Sequence, residues 1–372
     1  MTEPEDGLRG VPAGRTALST VGDEGDGLTY RGYAIEDLAR DAAFEEVAYL
    51  LLRGTLPNRA ELAQYREQLR DARALPEAVR GALERIPPDA HPMDVLRTGA
   101  SLLGTLEPET AFSQQQAAAD RLIAALPGIV AYWYRFSREG KRIETATDDD
   151  SIAAQFLHLL HDRPPAALDA DVMRTSLVLY AEHEFNASTF TARVCASTRS
   201  DVASCVTAAI GALRGPLHGG ANEAAMDMLA AWSSPDEAEA GVSAMLARRE
   251  RVMGFGHAVY RHADPRNAII RECSQRLARE RGDTTLQPVA ERVAEVMCRD
   301  KGLFPNADFF HATAYRFMGI PKPLATPVFT LARAAGWCAH VMEQRQADRI
   351  IRPSATYTGP APRSWVPLDE RD

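Results

Sequence analysis

The chain has 372 residues, 45% of them hydrophobic, enough to bury a large core and to divide into two or three domains. Its 51 acidic and 42 basic side chains leave a formal charge of −9 with no basic block or stripe, which argues against nucleic acid as a partner but leaves room for a small-anion pocket. Five cysteines, at 195, 205, 273, 298 and 338, form no C-x-x-C pair or metal-type cluster, and they read as core thiols in a reducing compartment.

The first residues, Met1 to Asp6, are acidic and lack the basic flank and apolar run of a secretory leader and the arginines of a transit peptide, so the cytoplasm is the expected address. Strand signals are weak, the best candidate being a small hairpin around Leu28 to Tyr33. Elsewhere apolar residues recur at helical spacing and many runs stop at Gly or Pro, which predicts a mainly α protein. Phe44 to Arg53 reads as a helix stopped by Gly54, and Leu62, Tyr65 and Leu69 mark one face of the next. The most apolar stretch, Leu122 to Tyr134, is interrupted by Pro127-Gly128 and is too short to span a bilayer, so it reads as a buried helical element. Val202, Val206 and Leu213 line a face leading to Gly215-Pro216, and Val289, Val293 and Val296 do the same in a helix whose Pro288 fits its first turn. Polar stretches rich in Pro, Asp and Gly near 1–14, 86–92, 146–151 and 357–372 read as loops or termini, the last as an extended arm. Residues 219–326 are more charged, with shorter helices expected, and read as a small mobile domain inserted into a large helical domain made of 1–218 and 327–372. No fixed-period repeat supports a solenoid.

Three segments carry chemistry. In Arg214-Gly-Pro-Leu-His218-Gly-Gly-Ala-Asn-Glu a helix stops, turns through glycines and restarts near Asn222, so His218 can donate to a developing oxyanion or merely cap a connection. In Gly254-Phe-Gly256-His257-Ala-Val-Tyr-Arg261, followed by Asp264-Pro-Arg266, the glycines allow a flat ligand to approach the backbone. Arg266 suits a carboxylate and Arg261 a phosphate, against a solvated basic turn as the plainer reading. The segment is neither a Walker loop nor a dinucleotide turn. In Asn306-Ala-Asp308-Phe-Phe-His311, Asp308 opens a helix beside two aromatics, a setting for a base of raised basicity or for simple dipole stabilisation. A lone Asp/His pair is weak evidence for a metal, and His311 is assigned to packing. Arg333, within the apolar run Thr330 to Met342, needs either a bound anion or a structural carboxylate partner.

Together these segments resemble the citrate synthase family, in the expected order from about Gly10 to the C-terminus. The resemblance also rests on Ala181-Glu-His183-Glu-Phe-Asn186-Ala-Ser-Thr-Phe, Arg333-Ala-Ala-Gly-Trp and Arg352-Pro-Ser-Ala-Thr-Tyr-Thr-Gly-Pro. It implies a two-domain helical fold and a catalytic set in which Asp308 deprotonates an acyl-CoA, His218 holds the thioester oxygen and His257 polarises the oxaloacetate carbonyl. It further implies an oxaloacetate cage of His183, Arg266, Arg333 and Arg352 with Asn186 alongside. CoA contacts fall on the backbone of Val252, Met253, Gly254, Phe255 and Gly256 and on the Arg261 side chain. No cofactor and no metal are implied, acyl-CoA being a substrate. The arginine at position 352 is expected to reach into the neighbouring site of a homodimer, with no membrane partner.

Within the family, Gly10-Val-Pro-Ala-Gly-Arg-Thr-Ala-Leu-Ser-Thr-Val-Gly, Tyr30-Arg-Gly-Tyr-Ala-Ile-Glu-Asp-Leu-Ala and the stretch Asp148 to His161 are most similar to bacterial 2-methylcitrate synthases. Propionyl-CoA is therefore the expected substrate and acetyl-CoA a second one. A citrate synthase proper, a non-catalytic oxaloacetate or CoA sensor and a metal-dependent lyase are the competing readings.

Overall fold

The computed structural model describes residues 10–22, 27–257 and 259–371. The chain opens with an antiparallel sheet in the order β1 (Ser19–Val21), β2 (Leu28–Tyr30), β3 (Tyr33–Ala34), with Thr20 opposite Thr29 and Tyr30 opposite Tyr33. The expected hairpin is thus present, with one more strand paired to it.

Helices make up most of the rest. The first five are α1 (Ile35–Asp41), α2 (Phe44–Arg53), α3 (Arg59–Asp71), α4 (Glu77–Leu83) and α5 (Pro92–Leu106). Then come α6 (Gln115–Glu139), α7 (Ile152–His161), α8 (Ala167–Tyr180), α9 (Ala187–Ala196) and α10 (Val202–Leu213). The last six are α11 (Ala221–Leu229), α12 (Pro235–Ala247), α13 (Pro265–Arg281), α14 (Leu286–Lys301), α15 (Ala307–Phe317) and α16 (Ala325–Ala347). Among the described residues no helix is long and apolar enough to cross a membrane.

Local chemistry explains many boundaries. The α2 helix stops at Gly54 in the left-handed region (φ 92°), and α3 starts at Asn58, whose carboxamide oxygen accepts the N–H of Ala60 and Glu61 while Glu61 accepts the Asn58 N–H. The expected break at Pro127 does not occur, because α6 runs through it. A proline inside a helix costs roughly 3 kcal/mol. Burial of the flanking Leu122, Ile123, Leu126, Ile129 and Val130 contributes about 1.5–3 kcal/mol each, so packing wins.

The axis of the fold is α16, nearly all of it buried, which packs against α2, α5, α6, α8, α9, α10 and α11. A second group forms where α12 meets α14, and α13 and α11 meet α15. It joins the rest through α13 on α1 and α8 and through α11 on α16. The helices of this group are not uniformly short, since α13 has 17 residues and α14 has 16. Nor are all five cysteines core thiols: Cys298 is exposed and Cys195 half-buried, because each sits on an outward helix face. Beyond α16 the chain runs without regular structure until a short turn at 368–370, and it leaves Tyr357 and Trp365 both 77% exposed.

Candidate active site

The carboxyl of Asp308 stands in the first turn of α15, where Asn306 caps its N–H at 3.0 Å. Its Oδ1 accepts the Tyr180 hydroxyl at 2.5 Å from the end of α8. Tyr180 is itself sandwiched between His311 and Phe329, with ring centroids 4.1 and 4.2 Å away. Burial raises the Asp308 pKa, partly opposed by the Tyr180 hydrogen bond and by Arg266. His311, buried with Nδ1 2.6 Å from the Ala307 carbonyl, is a packing residue as expected and serves by stacking on Tyr180.

The two histidines are held in opposite tautomers. His218 Nε2 lies 3.3 Å from the Ser188 backbone nitrogen, whose N–H can only donate. That N–H is an unsatisfied donor at the start of α9, so His218 Nε2 accepts and its proton sits on Nδ1. The Ser188 hydroxyl accepts from Trp337 Nε1 at 3.1 Å and shares its own proton between His218 Nε2 and Asn186 Oδ1, each 2.8 Å away. His257 is the reverse case: Nδ1 accepts the N–H of Val259 at 3.0 Å and of Tyr260 at 3.2 Å, leaving the proton on Nε2. Burial lowers both pKa values to about 4, with Arg333 adding to the effect at His218 and Arg266 at His257. Each ring is a neutral donor near neutral pH.

The cations surround these groups. Arg266, in the first turn of α13, donates Nε and Nη2 to Asp264 at 2.9 and 2.7 Å. Asp264 also caps α13 and accepts the Ala307 N–H at 3.1 Å, tying the starts of α13 and α15 together. Burial disfavours the Arg266 charge, but Asp264 more than offsets this and raises its pKa. Arg333 is 1% exposed, donates Nε to the Tyr180 carbonyl at 2.7 Å and lies 4.7 Å over the Phe329 ring. No carboxylate of the described residues lies within 4.0 Å of it, and burial lowers its pKa to about 10. The structural ion pair weighed for Arg333 is therefore absent among the described residues. His183 is 3.1 Å from the Tyr260 hydroxyl and edge-on to His257 at 5.1 Å, and burial pushes its pKa well below the ordinary value.

Other predicted residues stand differently. Asn186 spends its amide on the cap of α9 and on the His183 carbonyl at 3.3 Å, so it shapes the turn. The loop 252–256 is zipped to 304–306: Gly254 O accepts from Asn306 N, Gly256 N donates to Phe304 O, and Gly256 O accepts from Asn306 Nδ2. Gly254 (φ 86°) could not carry a side chain, since a Cβ would meet the Phe309 Cβ at 2.9 Å. Ala258 lies outside the described residues, while Arg261 and Arg352 are exposed, the latter on the C-terminal arm.

Sequence reasoning missed Tyr180, Ser188, Phe329 and Asp264. Only Asp264 left a signal, as a cap before Pro265 at the first helical position. The other three act through contacts across 30 or more residues, which no local pattern encodes.

Residues 7–354 match a family model described as citrate synthase, C-terminal domain. A 2-methylcitrate synthase of Shewanella oneidensis is 60% identical over 98% of this chain and 97% of that protein. A protein named citrate synthase 2 of Bacillus subtilis is 43% identical over 98% of each. Among solved structures, the ternary complex of carboxymethyl coenzyme A and oxaloacetate with citrate synthase from Thermoplasma acidophilum superposes with a TM-score of 0.93, at 33% identity, over 99% of this chain and 100% of that one.

Proposed function

We propose a reaction from one premise: the chain belongs to the citrate synthase family. It condenses an acyl-CoA with oxaloacetate, and the acyl group is propionyl, giving 2-methylcitrate and CoA, with acetyl-CoA as a poorer substrate. The name of the 60% identical relative supports the propionyl reading.

The observation that carries the mechanism is the convergence of one buried carboxylate with two neutral histidines of opposite tautomer. Asp308 takes a proton from the α-carbon of the thioester. A carboxylate is a weak base toward carbon, so the charge arriving on the thioester oxygen must be met as it forms. His218 Nδ1–H meets it, and one such donor is worth about 3–4 kcal/mol in a dry site. The enol carbon then attacks the oxaloacetate carbonyl, whose oxygen His257 polarises and protonates through Nε2–H, the proton it yields being replaced by the one Asp308 took from carbon. Water cleaves the resulting thioester and releases CoA.

The dianionic substrate lies between His183, Arg266 and Arg333, with Arg352 supplied by a second subunit. That role is supported by an arm whose Tyr357 and Trp365 stay exposed among the described residues. We assign 219–326 to a small domain that closes over CoA and dries the site, with 1–218 and 327–372 as the body. The acyl-CoA seats against the backbone of 252–256, with Arg261 toward phosphate.

Thiol release from propionyl-CoA, measured with and without oxaloacetate, tests the reaction. Release that needs oxaloacetate is expected, whereas binding of both ligands with no release would make the chain a sensor. Asp308→Asn should lower kcat by about 10²–10⁴ while oxaloacetate affinity stays within about twofold. Unchanged turnover would remove Asp308 from the mechanism.

A further inference from the structure

Beneath the cage runs a stripe on one face of α16, Arg333, Gly336, His340 and Glu343, at spacings of three and four residues. Facing it is Glu182, which is 0% exposed, one residue before His183 and two after Tyr180. Its Oε1 accepts the Ser19 hydroxyl at 3.0 Å and His340 Nε2 at 2.8 Å. Arg193 Nη1 can only donate to His340 Nδ1, at 2.9 Å, so His340 links Arg193 to Glu182. Arg193 is in turn paired with Glu343 at 2.6 Å. Glu182 Oε2 has no hydrogen-bond partner among the described residues, and a Cβ on Gly336 would stand 2.3 Å from it. Gly336 lies one turn from Arg333, and Arg333 Nε is bonded to the Tyr180 carbonyl two residues before Glu182. The Glu182 carboxylate and the Arg333 guanidinium are therefore close neighbours without being an ion pair. Burial opposes the Glu182 charge, and His340 with Arg333 more than offsets this, so its pKa is held below the usual carboxylate range.

A half-satisfied buried carboxylate is strongly disfavoured unless a nearby charge compensates it. Here Arg333 supplies part of the compensation, after His340, whereas Arg266 is compensated directly by its ion pair with Asp264. Within one chain each buried arginine of the cage thus has one buried carboxylate acting on it, Asp264 in contact with Arg266 and Glu182 on Arg333 without contact. We propose that Glu182 is a positioning residue acting through Arg333, an electrostatic counterweight that keeps the cage from holding its dianionic substrate and its tricarboxylate product too tightly. This rests on reading the site as an oxaloacetate cage.

The sign of one effect separates this role from a structural one. Glu182→Gln keeps the shape and the acceptor facing Ser19 and His340 but removes the charge. Calorimetric titration with oxaloacetate is expected to give a Kd lower by about threefold or more, with kcat reduced by slower product release and the acyl-CoA KM unchanged. A merely structural carboxylate predicts the opposite, weaker binding. Glu182→Asp, which keeps the charge and shifts its position, is expected not to tighten binding. Equal or weaker binding in the Gln variant, or tightening in the Asp variant, would overturn the counterweight. Should the Gln variant fail to melt cooperatively, Glu182→Met supplies the neutral chain and the same readings apply. If the wild-type protein takes up no oxaloacetate, the cage itself is wrong. If it does and the neutral variant does not bind more tightly, only the counterweight is wrong.

Discussion

At the scale of residues, the chemistry depends on which nitrogen carries a proton, and backbone N–H groups decide it. The Ser188 N–H fixes His218 and those of Val259 and Tyr260 fix His257. Both folded pKa values are lowered from 6.5 to about 4, so as pH falls through 6.5 both rings stay neutral and keep donating. The Asp308 pKa moves the other way, upward from 3.8, and its protonation ends activity on the acid side. The expected kcat/KM profile therefore shows a single acid limb that belongs to Asp308, displaced upward from the ordinary aspartate value, with no histidine inflection beside it. A second inflection near 6.5 would put a titrating histidine back into the mechanism. His218, His257 and Asp308 were legible in the sequence because each sits in a glycine-rich or helix-opening motif. Tyr180, which holds the base, was not legible, because a tyrosine ending an apolar helix looks like any other core aromatic.

Among the elements, α16 organises the site, and one glycine sets how near it comes to the 181–182 turn. A Cβ on Gly336 would meet Glu182 Oε2 at 2.3 Å and the Ala181 carbonyl oxygen at 2.4 Å. Gly336→Ala should therefore push the helix away, costing about 1–3 kcal/mol in urea unfolding and raising the oxaloacetate KM more than that of the acyl-CoA. Gly211, in α10, has nothing within 4 Å of its Cβ position, so Gly211→Ala should be neutral or stabilising by up to about 1 kcal/mol. Equal effects at the two positions would mean that close approach at Gly336 is not what matters. Helix existence was readable from spacing, as α2, α3 and α10 show. The continuity of α6 through Pro127 was not, since it depends on packing from all sides, which is invisible to a local rule.

For the whole molecule, the mainly helical architecture followed from periodicity and the inserted segment from its higher charge, whereas the shared site entered through family resemblance. The shared site makes a direct prediction. Arg352→Ala and His218→Ala should each be nearly inactive alone, yet co-expression should restore activity toward about a quarter of wild type, because random pairing leaves one intact site in each mixed dimer. No restoration would confine each site to one chain. The acyl preference is the least physical part of the reading, since one methylene is worth only about 1–3 kcal/mol in a pocket. The decisive measurement is kcat/KM for propionyl-CoA and acetyl-CoA with saturating oxaloacetate, followed as CoA release. The expected result is oxaloacetate-dependent turnover with propionyl-CoA favoured about tenfold or more; a preference for acetyl-CoA, or release independent of oxaloacetate, would contradict it.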